Sequence, residues 1–118
     1  MGKKPQIGIS LRSLDHSGED ILERIKEVEV FKPDSIELMG FNMDLIKNGK
    51  ILFEKTEKIR KILSVFKYKK TIHGPLSVNF LDKFDILERH AQICISYINL
   101  AKNLGLSSIV IHTGFCDE

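Results

Sequence analysis

The sequence predicts an α/β fold with parallel strands in the order β-α-β-α-β-α-β. Three observations carry that prediction. Four short runs alternate apolar and small or polar residues with the period of two that marks a strand. Three longer runs between them repeat apolar residues at three and four, the period of a helix with one buried stripe. The strand centres lie about 27 to 39 residues apart, enough for a right-handed crossover through a helix each time.

The first strand is expected over residues 6–11, where Ile7, Ile9 and Leu11 alternate with Gly8 and Ser10. One face is apolar and the other carries unusually small side chains. Residues 12–16 read as a polar loop, and Ser17 with Asp20 gives an imperfect capping signal for the first helix. Ile21, Leu22, Ile25, Val28 and Phe31 form its apolar stripe, and Lys32-Pro33-Asp34 ends it. The second strand, residues 35–39, sets Ile36 and Leu38 on one side and Ser35, Glu37 and Met39 on the other. Glu37 is a carboxylate within an otherwise apolar strand.

Residues 40–49 read as a loop with Asn48-Gly49 as a turn signal, and residues 50–66 as the second helix. Leu52, Ile59, Ile62, Leu63 and Phe66 make its buried stripe, with Lys55, Lys58 and Lys61 on the opposite, solvated side. Thr71 and Ile72 belong to the third strand, which delivers His73. Gly74-Pro75 stops it, because proline has no amide to donate and restricts the residue before it. After a loop comes a long third helix, residues 84–104, with Leu87, Ala91, Cys94, Ile98 and Ala101 as its stripe and Gly105 as its left-handed cap. The fourth strand, residues 107–112, ends in His112-Thr113-Gly114.

Two strands that each end in histidine and a glycine turn form a constellation, because the carboxyl ends of parallel strands are where α/β proteins keep their chemistry. Neighbouring parallel strands lie about 4.8 Å apart, so side chains at matched ends can converge on one ion or one sugar hydroxyl. Neutral imidazole suits zinc or manganese and also suits proton shuttling near neutral pH. A catalytic zinc takes three protein ligands, so His73 and His112 need further ligands. Glu37 contributes only if it reaches the rim; otherwise it is hydrogen-bonded low in the sheet or to a neighbouring strand. His16, in the first strand-to-helix loop, reads as a solvent-exposed loop histidine, and His90 as a partly buried helix residue. Cys94 falls on the third helix's buried stripe, and Cys94 with Cys116 makes no disulfide framework or close-spaced motif.

Composition bounds the class. At 118 residues, 42% hydrophobic and 29% charged, the chain reads as one domain with a shallow core. A net charge of +2 with scattered lysines does not argue for a nucleic-acid partner. No apolar run approaches the roughly 18 residues of a membrane span and the start has no signal-peptide pattern, so the expected setting is cytoplasmic, with no membrane partner. The parallel units suit either an open doubly wound sheet or a (β/α)8 barrel. Arg12-Ser13-Leu14-Asp15 stands where a dinucleotide-binding sheet would place its glycine-rich turn.

Ile36-Glu37-Leu38, the run His-Gly-Pro-Leu-Ser-Val-Asn-Phe-Leu-Asp over residues 73–82, Ala-Lys-Asn-Leu-Gly over 101–105 and Val-Ile-His-Thr-Gly over 110–114 resemble the xylose-isomerase-like TIM barrels. That superfamily joins sugar and sugar-phosphate isomerases and epimerases with endonuclease IV-type apurinic/apyrimidinic endonucleases. The resemblance implies that residues 1–118 are a partial barrel domain, its N-terminal half, with the first four strands and three helices. In the endonuclease branch His73 and His112 match zinc ligands. In the isomerase branch the divalent metal, zinc or manganese, is held by carboxylates and a histidine on strands five to eight. His73 and His112, with Glu37, then line the substrate pocket.

Two departures favour the isomerase branch. Ser10 and its small neighbours stand where strand one of an endonuclease carries histidine, and Leu76 stands where an aromatic often follows the strand-three motif. The implied partner is therefore a small-molecule sugar or sugar phosphate, with nucleic acid as partner only in the endonuclease reading. Without strands five to eight the chain alone is expected to be inactive. A third reading is a non-catalytic half-barrel that works through homo-oligomerisation, or by pairing with a missing C-terminal half, because its outer strands would otherwise expose unpaired backbone.

Overall fold

Alternation in the four β-type runs produces one four-stranded parallel sheet, ordered β1 (Gly8–Leu11), β2 (Ser35–Met39), β5 (Lys69–His73) and β6 (Ser108–Val110). The computed structural model describes Gly2 and residues 4–114. Helices α1 (Ile21–Val28), α2 (Phe53–Ser64) and α3 (Leu87–Asn103) connect the strands in turn. Each new strand of the sheet joins the same edge as its predecessor, so the order contains no reversal. That order is consistent with part of a (β/α)-type barrel.

Leu11, Ile36, Leu38 and Ile72 project from one face of the sheet and are buried against Ile21 and Ile25 of α1, Ile59 and Leu63 of α2, and Leu100, Ala101 and Leu104 at the end of α3. Burying each of these leucine and isoleucine side chains contributes about 1.5–3 kcal/mol, and this layer is the core. The opposite face has no such cover. Ser10 and Ser108 are exposed, and Ser35, Glu37, Met39, Thr71 and His73 are half-buried. Among the described residues no helix is long and apolar enough to cross a membrane.

Several local expectations change. The loop after β2 contains a 3-10 turn at Gly40–Asn42 and a hairpin of β3 (Ile46–Lys47) with β4 (Lys50–Ile51). Asn48 and Gly49 both have positive φ, 51° and 74°, which closes a two-residue hairpin whose twist matches its strands. Lys50 and Ile51 are thereby drawn out of the predicted helix. Leu52 becomes the residue before α2, held by its amide to the Leu45 carbonyl at 2.8 Å and 37% exposed, while Thr56 takes its place on the buried stripe.

Phe31 lies in a 3-10 turn (Glu29–Phe31) and is 70% exposed, because Lys32 turns the chain with φ of 48° before α1 can continue its stripe. In α3 the buried set is Cys94, Leu100 and Ala101; Cys94 and Ala101 lie on the predicted stripe, Leu87 and Ala91 are half-buried, and Ile98 is 37% exposed while Leu100 is buried in its stead. Cys94 is in the core as expected, and burial raises its thiol pKa. Cys116 lies outside the described residues. Strand β6 stops at Val110, short of the expected end at His112, where its partner β5 gives way to Gly74-Pro75. The Gly74 amide reaches the Val110 carbonyl at 2.8 Å, and a Cβ on Gly74 would lie 2.7 Å from that oxygen.

Candidate functional site

Register decides which side chains meet. Ser10 pairs with Glu37, Glu37 with Thr71, and His73 with Val110. Because residues two apart on a strand share a face, Ser10, Glu37 and His73 all project from the uncovered side of the sheet. His112, two residues past Val110, joins them. Its Nε2 lies 2.8 Å from Nε2 of His73, with ring centroids 4.9 Å apart and planes tilted by 52°.

Glu37 sits on the other side of His73. Its Oε1 is 3.4 Å from His73 Nδ1 and accepts a hydrogen bond from the Ser10 hydroxyl at 3.2 Å. The Glu37 carboxylate is thus bonded to a neighbouring strand, as one of the two sequence readings held, and it also flanks a site histidine. Phe41 completes the surroundings, with its ring edge-on to His73 at 6.0 Å and 77°. Gly40 lets the turn before Phe41 pack close against β5, since a Cβ there would sit 2.6 Å from Ile72 Cδ1.

Beside His112 a cavity of about 350 Å³ is lined by Leu76, Val78, His112, Thr113 and Gly114. The loop after β5 forms its wall and is fastened at two points. The Phe80 amide donates to the Thr113 carbonyl at 2.9 Å, and the Asn79 amide donates to His90 Nδ1 at 3.4 Å. His90 Nε2 in turn meets Asp82 Oδ2 at 3.0 Å, and that hydrogen bond is the main reason the Asp82 carboxyl lies below the usual carboxylate range. His90 is a partly buried residue of α3, as expected, and it also staples the loop.

His16 is exposed, with its ring 3.5 Å from the Asn42 amide nitrogen and no bond to the histidine pair. A larger cavity of about 740 Å³, between the β1–α1 loop and α2, contains none of the predicted site residues. The predicted capping pair Ser17 and Asp20 does not cap α1, which begins at Ile21 with no side-chain cap; the Asp20 carboxylate instead accepts from Ser13 Oγ and the Leu14 amide, both at 2.7 Å, and so braces that loop. In the same loop Asp15 is lowered from 3.8 to about 2, chiefly by the hydrogen bond from the Ser17 hydroxyl.

The histidine pair fits a divalent metal in part. Two imidazole nitrogens on a tetrahedral zinc stand about 3.3 Å apart, given Zn–N bonds of about 2.0–2.1 Å, whereas 2.8 Å is the distance of an N–H···N hydrogen bond. Opening the pair by about half an ångström would admit an ion. Among the described residues no group of three histidine, cysteine, aspartate or glutamate side chains is placed to hold a metal, so a catalytic zinc, which takes three protein ligands, would find at most two in the pair.

Phe41 and the role of Ser10 as a donor were not read from the sequence. Phe41's only signal was its place just past a strand's carboxyl end, and Ser10's was smallness. Compared with known proteins, the chain matches no family model, and no curated protein or solved structure is similar enough to stand as a relative.

Proposed function

We propose that this chain is part of a metal-dependent sugar or sugar-phosphate isomerase or epimerase of the xylose-isomerase-like TIM barrel type, with residues 1–118 as a half of the barrel domain. The observation that carries the reading is the meeting of His73 and His112, Nε2 to Nε2, at the carboxyl ends of adjacent strands. Winding of the sheet in one direction supports the barrel.

In such a site a bound zinc or manganese ion polarises adjacent oxygens of the sugar. The chain's own part is narrower. Nε2 of His73 and of His112 bind the ion or a sugar hydroxyl, while Leu76 and Val78 exclude water from one side of the cavity. The carboxylate base that removes the carbon-bound proton is not among the cavity's lining residues, and in this reading it comes from further strands, as do the remaining ligands.

The same pair favours a second reading, an endonuclease IV-type apurinic/apyrimidinic endonuclease, in which both histidines are zinc ligands. One set of measurements on the purified chain separates the two. Zinc and manganese are titrated first, then a panel of sugar phosphates and an abasic duplex DNA are tested for binding across a salt series. Sugar-phosphate binding that is lost in His73→Ala and His112→Ala supports the isomerase. DNA binding that weakens steeply with salt supports the endonuclease, since phosphate contacts release counterions. Turnover of either substrate by the 118-residue chain would overturn the proposal that its chemistry needs further strands.

A further inference from the structure

One side chain from each strand of the sheet, or from just beyond it, joins a single chain of contacts. Ser10 comes from β1, Glu37 from β2, His73 from β5 and His112 from two residues past β6. Ser10 and Glu37 are level in the register, His73 lies one pleat higher and His112 one pleat higher again. The row therefore climbs from the middle of the sheet to its carboxyl rim.

The chemistry of the four groups orders the protons along it. An ionised carboxylate can only accept, so Glu37 Oε1 accepts the hydrogen bond from the Ser10 hydroxyl and turns its charge toward His73 Nδ1. That places the imidazole proton of neutral His73 on Nδ1 and leaves the lone pair on Nε2. Opposite it, His112 must then supply Nε2–H across the 2.8 Å contact. With the other tautomer, two lone pairs would face each other at Glu37 and the carboxylate would repel the ring nitrogen beside it.

We propose that Glu37 is the positioning residue that fixes His73 as its Nδ1–H tautomer, and that Ser10 holds the carboxylate in place for it. The role differs from the substrate contact expected from the sequence. Glu37 does not line the rim cavity, and its Oε1 is engaged on both sides. Phe41, edge-on to the ring, restrains the imidazole plane from another direction. The consequence is a His73 Nε2 lone pair aimed at the rim, where a cation would take the place of the His112 Nε2–H it now accepts, with the His112 proton moving to Nδ1, in the arrangement by which a carboxylate orients a metal-binding histidine. This inference rests on His73 and His112 being the functional pair.

The test uses the full chain labelled with ¹⁵N, with long-range proton–nitrogen correlations of the imidazoles recorded at pH 8, and zinc titrated into the same samples. The expected result is the Nδ1–H pattern for His73 in the unsubstituted chain, shifted toward Nε2–H in Glu37→Ala, with zinc affinity about 10–100-fold weaker. Glu37→Gln, close in shape, serves where the alanine variant fails to fold. It is expected to disturb the tautomer too, because its amide can donate to Nδ1. An Nε2–H pattern in the unsubstituted chain, or an unchanged pattern in both variants, would overturn the inference. If zinc does not bind at all, yet the tautomer responds to Glu37, the positioning role stands and it is the metal reading that fails.

Discussion

His73 and His112 are 39 residues apart in the chain and 2.8 Å apart at their Nε2 atoms. No local signal could bring them so close; parallel pairing of β5 with β6 does it. If that contact is a cation site, removing either ring should remove it. We expect His73→Ala and His112→Ala each to abolish zinc binding measured by calorimetry. His16→Ala and His90→Ala should leave it intact, since neither ring touches the pair. Equal losses in all four variants would show that zinc binds elsewhere.

His90 links α3 to the loop that walls the cavity. Its Nδ1 accepts from the Asn79 amide, and its Nε2 proton goes to Asp82. His90→Ala should speed amide hydrogen exchange at Asn79 and Phe80 by about tenfold, the effect of losing one hydrogen bond from a loop opening locally. Exchange within β2 should not change.

Acid should loosen the β1–α1 loop in a defined window. Asp15 is lowered to about 2 from 3.8, so the ionised form is favoured by the folded loop. The stability it lends is fully present above pH 3.8 and is lost as pH falls through about 2. Amide exchange at Ser17, whose N–H donates to Asp15 at 3.0 Å, should accelerate across that interval. Asp15→Asn should flatten the response.

Gly105 ends α3 with φ of +71°, and nothing lies within 4 Å of where a Cβ would be. Gly105→Ala therefore meets no steric obstacle, and its cost is conformational alone. We expect a loss of about 1 kcal/mol in denaturant unfolding, the left-handed penalty offset in part by a less flexible unfolded chain.

Strands β1 and β6 each have one neighbour among the described residues, and one sheet face lacks helical cover. Parallel sheets are ordinarily covered on both faces. Light scattering of the purified chain should therefore report association. A monodisperse monomer would count against the half-barrel that works through oligomerisation.

Strand and helix periods are local properties of a chain, and they announced every strand of the sheet and every helix that covers it. Ser35–Met39 has the expected bounds because Ile36 and Leu38 alternate cleanly and Pro33 and Gly40 flank them. His73 was legible as a strand end because Gly74-Pro75 cannot extend a ladder. The hairpin at residues 46–51 was missed although its Asn-Gly turn was noticed, since two strands of two residues each show no period.

That Leu100 is buried while Ile98 stays partly exposed was illegible for another reason. A stripe on a helix says that some face is buried, and only packing against the sheet and α2 chooses which. Beyond the two strand-end histidines, the site belongs to tertiary structure. Ser10 carries no signal of its own, and Glu37 in sequence reads more readily as a structural than as a functional carboxylate. Their meeting with His73 depends on the register of three strands, where a slip of one residue would turn each side chain to the opposite face.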